Sequence, residues 1–424
     1  MKVLIHTDEY YPTAQACSYR MQVLADAFME TGAEVVVITS SANKENGGSG
    51  RGKTGFANKE NRDPGGRKEK IIYSPAMRMR NKKTLTRLLN NLSFGFTSVL
   101  SSFKAGKADV VITTSPPPLS SISGWMIAKL KGAKLVYDVR DIWPDVAVEM
   151  GSFPKGSFYY RVFRRIAWFM YRHADIVTTV SPGKVKKLRR YVGHIEKKNK
   201  NNAAQESHAG KVWMVGNGYD MRVEEYPINQ SLVEKYDMEN IPTCIYVGNI
   251  GLAQGLDALL KVASETKHKG IQFLLFGKGA EKELLEKKAM EAGLDQVRFC
   301  GLLPHEDVRT ILEYAAVSFV PLKSAKMKDS IPTKLYEALG IGCPVLLVAE
   351  GDACGILDET GLGRHISPDH PEELTWVFDE LMDDYDEIAG RSESAKAVIH
   401  EKYTRQKLAR EFALRLRERS GAGE

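Results

Sequence analysis

TCIYVGNIGLAQGLDALLKVA, residues 243–263, runs from an apolar, β-branched strand through three glycines (Gly248, Gly251, Gly255) into a helix opening near Leu256. A strand feeding a glycine turn that opens a helix is the unit of an open parallel α/β sheet. Glycine lets a ligand approach the backbone, and amides at the helix start suit a diphosphate. A tight turn without ligand is an equally simple reading.

The same alternation runs outward in both directions. Upstream strands are read at KVLIHT (2–7), EVVVIT (34–39), DVVITT (109–114), KLVYDV (134–139), DIVTTVS (175–181) and KVWMVGN (211–217). Downstream they are IQFLLFG (271–277), VRFCG (297–301), VSFVPL (317–322) and PVLLVA (344–349), with a second glycine turn, Gly277-Lys278-Gly279, after the first of these. Helix-length segments lie between, so the fold class is α/β, with two doubly wound units in tandem. Ligands of such sheets bind beyond the carboxyl ends of the strands. The expected division is residues 1–218, residues 219–391, and a charged helical run from 392 to 424 that packs back on the first domain, with a linker near 216–227.

Length and composition agree: 424 residues are too many for one ordinary core, and 43% hydrophobic with 27% charged residues describe a globular chain. No apolar stretch approaches the ~20 residues of a membrane span, and the N-terminus lacks a signal-peptide core, so a cytoplasmic protein is expected. Five cysteines without C-x-x-C spacing suggest neither zinc site nor disulfide framework. Net charge is +7, but residues 1–220 hold 35 Lys/Arg against 18 Asp/Glu, and residues 221–424 hold 25 against 35. The basic half suits nucleic acid, an anionic membrane or a phosphate-bearing substrate.

Residues 47–55, GGSGRGKTG, match the phosphate-loop pattern G-x-x-x-x-G-K-[ST] at Gly47, Gly52, Lys53 and Thr54. A buried strand precedes them, but no helix pattern follows Thr54. ANKEN recurs at 42–46 and 57–61, which marks residues 41–70 as a polar loop carrying a short duplication. Residues 193–211 read as a second polar loop.

FVPLKSAKMKDSIPTKLYEALGIGCPVLLV (319–348) places Asp329 and Glu337 eight apart, with Pro332 suited to a first helical turn and Lys334 between the acids. Carboxylates there can accept sugar hydroxyls while lysine neutralises phosphate; an ordinary charged surface helix is the plainer alternative. The spacing, followed by ALGIGCPV, resembles the E-x7-E signature of the family-4 retaining glycosyltransferases of GT-B fold. DEYYPTAQACSYRMQVLADAFMETGAEVVVIT, TTSPPPLSS, YDVRDIWPDVAVEMG, ADIVTTVSPG, VGNGYD, YVGNIGLAQGLD, FGKGAEKELL and VRFCGLLPHEDV have counterparts in order. RDIWPD and GNIGLAQGLD are most similar to the bacterial surface-polysaccharide branch, including N-acetyl-L-fucosamine transferase-like enzymes.

The resemblance implies two Rossmann-like domains facing across a cleft, with a nucleotide-sugar donor, UDP-linked, on the second. It implies that Glu337 accepts the ribose hydroxyls and that Asp329, one methylene shorter than the usual glutamate, stands near the transferred sugar. Gly248, Asn249, Gly251, Leu252, Ala253, Gln254, Gly255, Gly277, Lys278, Lys323 and Lys334 complete the donor set. Many relatives have arginine and lysine in the first turn; Asn249 and Gln254 occupy that neighbourhood here, which turns attention to Lys278 and Lys323. In the first domain VRDIWPD leaves Arg140 or Asp141 at the cleft where relatives carry histidine. No D-x-D pair is read as a metal site, since DYD (384–386) lies in an acidic helical run, and no cofactor is expected.

FYYRVFRRIAWFMYRHAD (158–175) joins aromatics with Arg161, Arg164, Arg165 and Arg172. It reads as a core helix with its arginines in water, or as an interfacial helix on anionic lipid. NKKTLTRLLNNLSFGFTSVLSSFKAGK (81–107) poses the same choice. The expected acceptor is a glycan or polyprenyl-diphosphate-linked sugar in O-antigen, capsule or exopolysaccharide assembly, with peripheral contact to anionic membrane and no nucleic acid. The rival readings are a phosphate-loop NTPase on Gly47–Thr54, a nucleic-acid binder, and a sugar-nucleotide epimerase of similar fold.

Overall fold

A computed structural model describes residues 1–10, 16–41, 69–76, 84–197 and 210–421. The phosphate-loop match and both copies of ANKEN lie outside them. The chain forms two compact units, Met1–Asn217 with Arg405–Glu424, and Gly218–Thr404.

The first unit is a seven-stranded parallel sheet of β1 (Lys2–His6), β2 (Glu34–Ser40), β3 (Lys70–Ser74), β4 (Val110–Ser115), β5 (Lys134–Val139), β6 (Ile176–Thr179) and β7 (Val212–Met214), in the order β3-β2-β1-β4-β5-β6-β7. Alternate residues feed two cores, as the two-residue period of a strand requires. Val3, Ile5, Val35, Val37, Val110 and Ile112 pack on one face with helices Ala16–Glu30 and Arg405–Arg419. Leu4, Val36, Ile38, Val111 and Tyr137 pack on the other with helices Thr84–Ser102, Pro118–Lys131 and Phe158–His173. In the last of these Ala167, Met170 and Tyr171 are buried on the sheet side and all four arginines are exposed.

The second unit is a six-stranded parallel sheet of β8 (Thr243–Val247), β9 (Gln272–Phe276), β10 (Val297–Gly301), β11 (Val317–Pro321), β12 (Val345–Val348) and β13 (Gly363–Ile366), ordered β10-β9-β8-β11-β12-β13. Strands β8, β9, β11 and β12 are buried almost throughout, as strands covered on both faces are.

Two edges differ from the sequence reading. β3 and β13 were not among the expected strands, and the helical run after residue 392 divides. Helix Ser392–Lys402 places Ala395 and Ile399 in the second core, whereas Ala409, Phe412, Ala413 and Leu416 of the next helix lie in the first. The return to the first unit therefore begins at Arg405, because Thr404 still pairs with Tyr219 of the second unit.

Candidate functional site

The second sheet reverses its strand order between β8 and β11, so the segments leaving those strands diverge and open a space at their carboxyl ends. The turn after β8 is laced to the turn after β9. Gly248 N donates to Phe276 O (2.9 Å), Ile250 N to Lys278 O (3.0 Å) and Glu281 N to Ile250 O (3.1 Å). The approach requires glycine: a Cβ on Gly277 would stand 1.8 Å from Gly248 O, and one on Gly279 1.9 Å from Ile250 O. On its other side Gly255, at φ +62°, abuts the Lys323 backbone, and Lys323 N donates to Ala253 O (3.0 Å). Neighbours on both flanks thus fix residues 248–255. Among the described residues no acceptor takes the amide hydrogens of Leu252, Ala253 or Gly255, and the Gln254 side-chain oxygen is buried without a partner.

Helix Thr333–Ile341 starts after β11 and carries Lys334 in its first turn. The Lys334 ammonium lies 4.0 Å from the centroid of the Tyr246 ring and 3.1 Å from where a Gly248 Cβ would be. The Tyr246 hydroxyl donates to Asn249 O (2.5 Å), so one tyrosine both supports the amine and pins the turn. No carboxylate or carbonyl of the described residues accepts from Lys334. Burial lowers its pKa to about 7, with the Glu337 charge pulling the other way. Glu337, three residues on and therefore on the same helical face, is half-buried with no hydrogen-bond partner among the described residues. An anion at Gly248 would meet an amine with no hydrogen-bond acceptor among the described residues, with a carboxylate one turn away to accept hydroxyl hydrogens.

The remaining donor-side expectations are placed less closely. Lys278 contributes its backbone carbonyl, and its side chain, like that of Lys323, is exposed. Asn249 and Leu252 are exposed too. Asp329 lies between the short turn Ala325–Met327 and the helix, half-buried. Tyr246 was not among the expected residues; a tyrosine in the buried strand TCIYV was its one signal.

In the first unit, polar groups gather after β1, β4 and β5. Arg140 donates to Thr114 Oγ1 (3.1 Å) and Pro116 O (2.5 Å). Asp141 pairs with the buried Lys184 (3.3 Å). Beside them burial raises the Asp8 carboxyl to about 6 and the Glu9 carboxyl to about 7, with Asp8 adding to the rise in Glu9 and Arg140 opposing both. Burial likewise lifts the Cys17 thiol to about 12. Below this layer Arg20 grips Asp138 with two hydrogen bonds, Nε–Oδ2 3.0 Å and Nη2–Oδ1 2.8 Å, and donates to Val215 O and Gly216 O. Asp138 also accepts from Thr178 Oγ1 (2.7 Å). Asp8, Glu9 and the Arg20–Asp138 pair went unread in the sequence, although an aspartate inside KLVYDV calls for a buried partner.

Among the described residues, His370, Glu372 and Glu373 could together reach a metal ion, but all three are exposed and His370 already bonds Glu372 (3.3 Å). The indentation lined by Met238, Asn240, Pro242, Tyr314 and Tyr385 lies at the amino ends of β8 and β11, opposite the glycine turn.

Two family models match the chain: "Glycosyl transferase 4-like domain" over residues 16–197 and "Glycosyl transferases group 1" over residues 232–401. WbjE of Pseudomonas aeruginosa, named a probable glycosyltransferase, is 26% identical over 74% of this chain and 76% of its own. WcaI of Escherichia coli K12, named for glycosyl transfer in colanic acid biosynthesis, is 26% identical over 72% and 73%. The solved structure of Alr3699/HepE of Anabaena, in complex with UDP-glucose, aligns over 99% of this chain and 100% of its own at a TM-score of 0.68 and 15% identity. With its two parallel α/β sheets, and with the two models together spanning most of its length, the chain belongs to the group 1 glycosyltransferases of GT-B fold, with a glycosyl transferase 4-like domain at its N-terminal side.

Proposed function

We propose that the chain is a retaining, metal-independent glycosyltransferase that moves a sugar from a UDP-linked donor to a glycan or lipid-linked acceptor in surface-polysaccharide assembly. The observation that carries it is the Lys334 amine, half-buried on Tyr246 beside Gly248 with no acceptor among the described residues, and with Glu337 one turn along the helix. A desolvated amine without a hydrogen-bond acceptor is costly, and a diphosphate would relieve it. Lys334 and the amides of the 251–255 turn would stabilise the charge left on the diphosphate as the glycosidic bond breaks, an electrostatic role. Glu337 would accept the ribose hydroxyls, and Asp329 would stand toward the sugar. Support for a UDP donor comes from HepE, and support for polysaccharide assembly from WcaI.

In the first unit Arg140 and Asp141, beside Asp8 and Glu9, would receive the acceptor. Front-face attack, with the leaving phosphate oxygen taking the acceptor proton, gives retention without a separate base. The test is product analysis with UDP-sugars in excess chelator: transfer that persists, with the anomeric configuration kept, supports the reading. Inversion, or activity that vanishes with chelator and returns with magnesium, overturns it. Consumption of UDP-sugar to an isomer without acceptor would favour the epimerase.

A further inference from the structure

Helix Thr84–Ser102 is apolar on two sides: it buries Phe94 and turns a second apolar row outward. From residue 89 onward its exposed side chains are Leu89, Leu92, Phe96 and Leu100, at helical spacing, and the turn that follows adds Phe103; Phe96 is 72% and Phe103 68% exposed. Its buried side includes Ser98, Ser101 and Ser102. These serines are satisfied inside: Ser98 Oγ bonds His6 Nε2 (2.9 Å), Ser101 donates to Ser74 Oγ (3.1 Å) and Ser102 to Val99 O (2.7 Å). A helix facing only water shows the opposite distribution, and isolated exposed apolar residues do not form such a stripe.

The stripe continues on the neighbouring helix Pro118–Lys131, which crosses at Gly95 and Ser123 and is tied to the first by Lys131 Nζ donating to Ser102 O (2.9 Å). Met126 and Leu130, one turn apart, are exposed there. Helix Phe158–His173 packs beside it through Trp125 and Phe169, 4.8 Å between ring centroids. All three helices cover the same face of the sheet, so their outer sides share a direction. Residues 84–108, 116–137 and 155–174 contain 11 Lys/Arg and no Asp or Glu. Exposed Lys104 and Lys107 lie beyond the end of the stripe, Lys129 adjoins Leu130, and Arg161, Arg164, Arg165 and Arg172 follow on the third helix.

We infer that this face of the first unit docks on an anionic lipid surface, with Leu92, Phe96, Leu100 and Phe103 entering the headgroup region and the lysines and arginines meeting lipid phosphate. Apolar side chains flanked by bases, on three helices that carry no acid, match that surface in both its apolar and its charged layer. No helix among the described residues is long and apolar enough to cross a membrane, so contact is made by laying helices flat.

The test is vesicle flotation of the whole protein without donor or acceptor, so that its failure leaves the donor-site reading untouched. Vesicles of phosphatidylcholine with phosphatidylglycerol should bind the protein, and phosphatidylcholine alone should bind it at least about tenfold more weakly, with the difference removed by high salt. Phe96→Ser with Leu100→Ser should lower partitioning into the anionic vesicles by at least about tenfold. If that variant melts early, Leu92→Ser alone should still weaken binding. Lys104→Ser with Lys129→Ser should lose most of the preference for phosphatidylglycerol. Equal binding to both vesicles, unchanged binding by the apolar variants, or a wild-type dimer that Phe96→Ser dissociates would each overturn the proposal, the last by identifying a second copy as the occupant.

Discussion

The Lys334 ammonium rests 4.0 Å from the centroid of the Tyr246 ring and has no carboxylate or carbonyl acceptor among the described residues. A π face offsets part of the cost of burying a cation but leaves the amine near pKa 7 instead of its usual 10.5. In the window from about 7 to 10.5 the unfolded chain binds more protons than the folded one. The stability withheld by Lys334 therefore returns as pH rises through that window.

Donor binding should consequently take up a proton. At pH 8 the free enzyme holds Lys334 largely neutral, and an incoming diphosphate recharges it, so UDP-glucose should bind with uptake of about one proton at pH 8 and none near pH 6. Calorimetry in two buffers of different ionisation enthalpy reads this directly. Lys334→Met should abolish the buffer dependence and weaken binding; equal heats in both buffers for the wild type would sink the idea.

Glu337 and Asp329 should separate by ligand. Glu337→Ala removes charge-assisted hydrogen bonds worth about 1.5–3 kcal/mol each and should weaken UDP and UDP-sugar alike. Asp329→Ala should spare UDP affinity while lowering turnover. Titration of both variants with both ligands gives four affinities, and equal losses in Asp329→Ala would displace that residue from the sugar.

Gly277→Ala should cost at least about 2 kcal/mol, because the new Cβ would stand 1.8 Å from a backbone oxygen that its neighbours hold in place. At Gly270 a Cβ meets nothing within 4 Å, so Gly270→Ala should stay within about 0.5 kcal/mol of wild type. Urea denaturation of the pair checks this; similar losses would mean the two glycine turns can part.

Asp138→Asn should destabilise the first unit by about 3–5 kcal/mol, since it leaves the Arg20 guanidinium buried without its counter-charge. The Asp138 carboxyl is held below its ordinary range by Arg20 and Thr178 against the opposing effect of burial. Its contribution is present above about pH 4 and is lost as pH falls through the lowered value. Arg20→Met with Asp138→Leu should cost less than either single change, measured by thermal melting; full additivity would show the pair uncoupled.

The sequence made the interior of both sheets readable and left their margins dark. EVVVITS and IQFLLFG are mostly apolar because both faces are covered, whereas KIIYS and GRHI are edge strands that retain Lys70, Arg364 and His365 and pass below any apolar-run criterion. Glycine turns were legible for the same local reason: Gly248 to Gly255 lie within one short segment. Tyr246 and Lys334 are brought together by the order of the strands, which no local pattern carries. Helix 84–102 shows another limit, since periodicity reveals that a helix has two faces without saying which one is turned inward.

The return of residues 405–419 to the first unit has a consequence for synthesis. Phe412 and Leu416 are enclosed in the core that includes Phe28 and Val37, so on that side the first sheet has helix Ala16–Glu30 alone as cover while the whole of Gly218–Thr404 is being made. A ribosome would release the second unit with its core complete before the first is closed, although the first was begun earlier. Nascent chains arrested before residue 405 should thus protect the later unit from protease and expose the earlier one, an inversion of the usual N-terminal-first order.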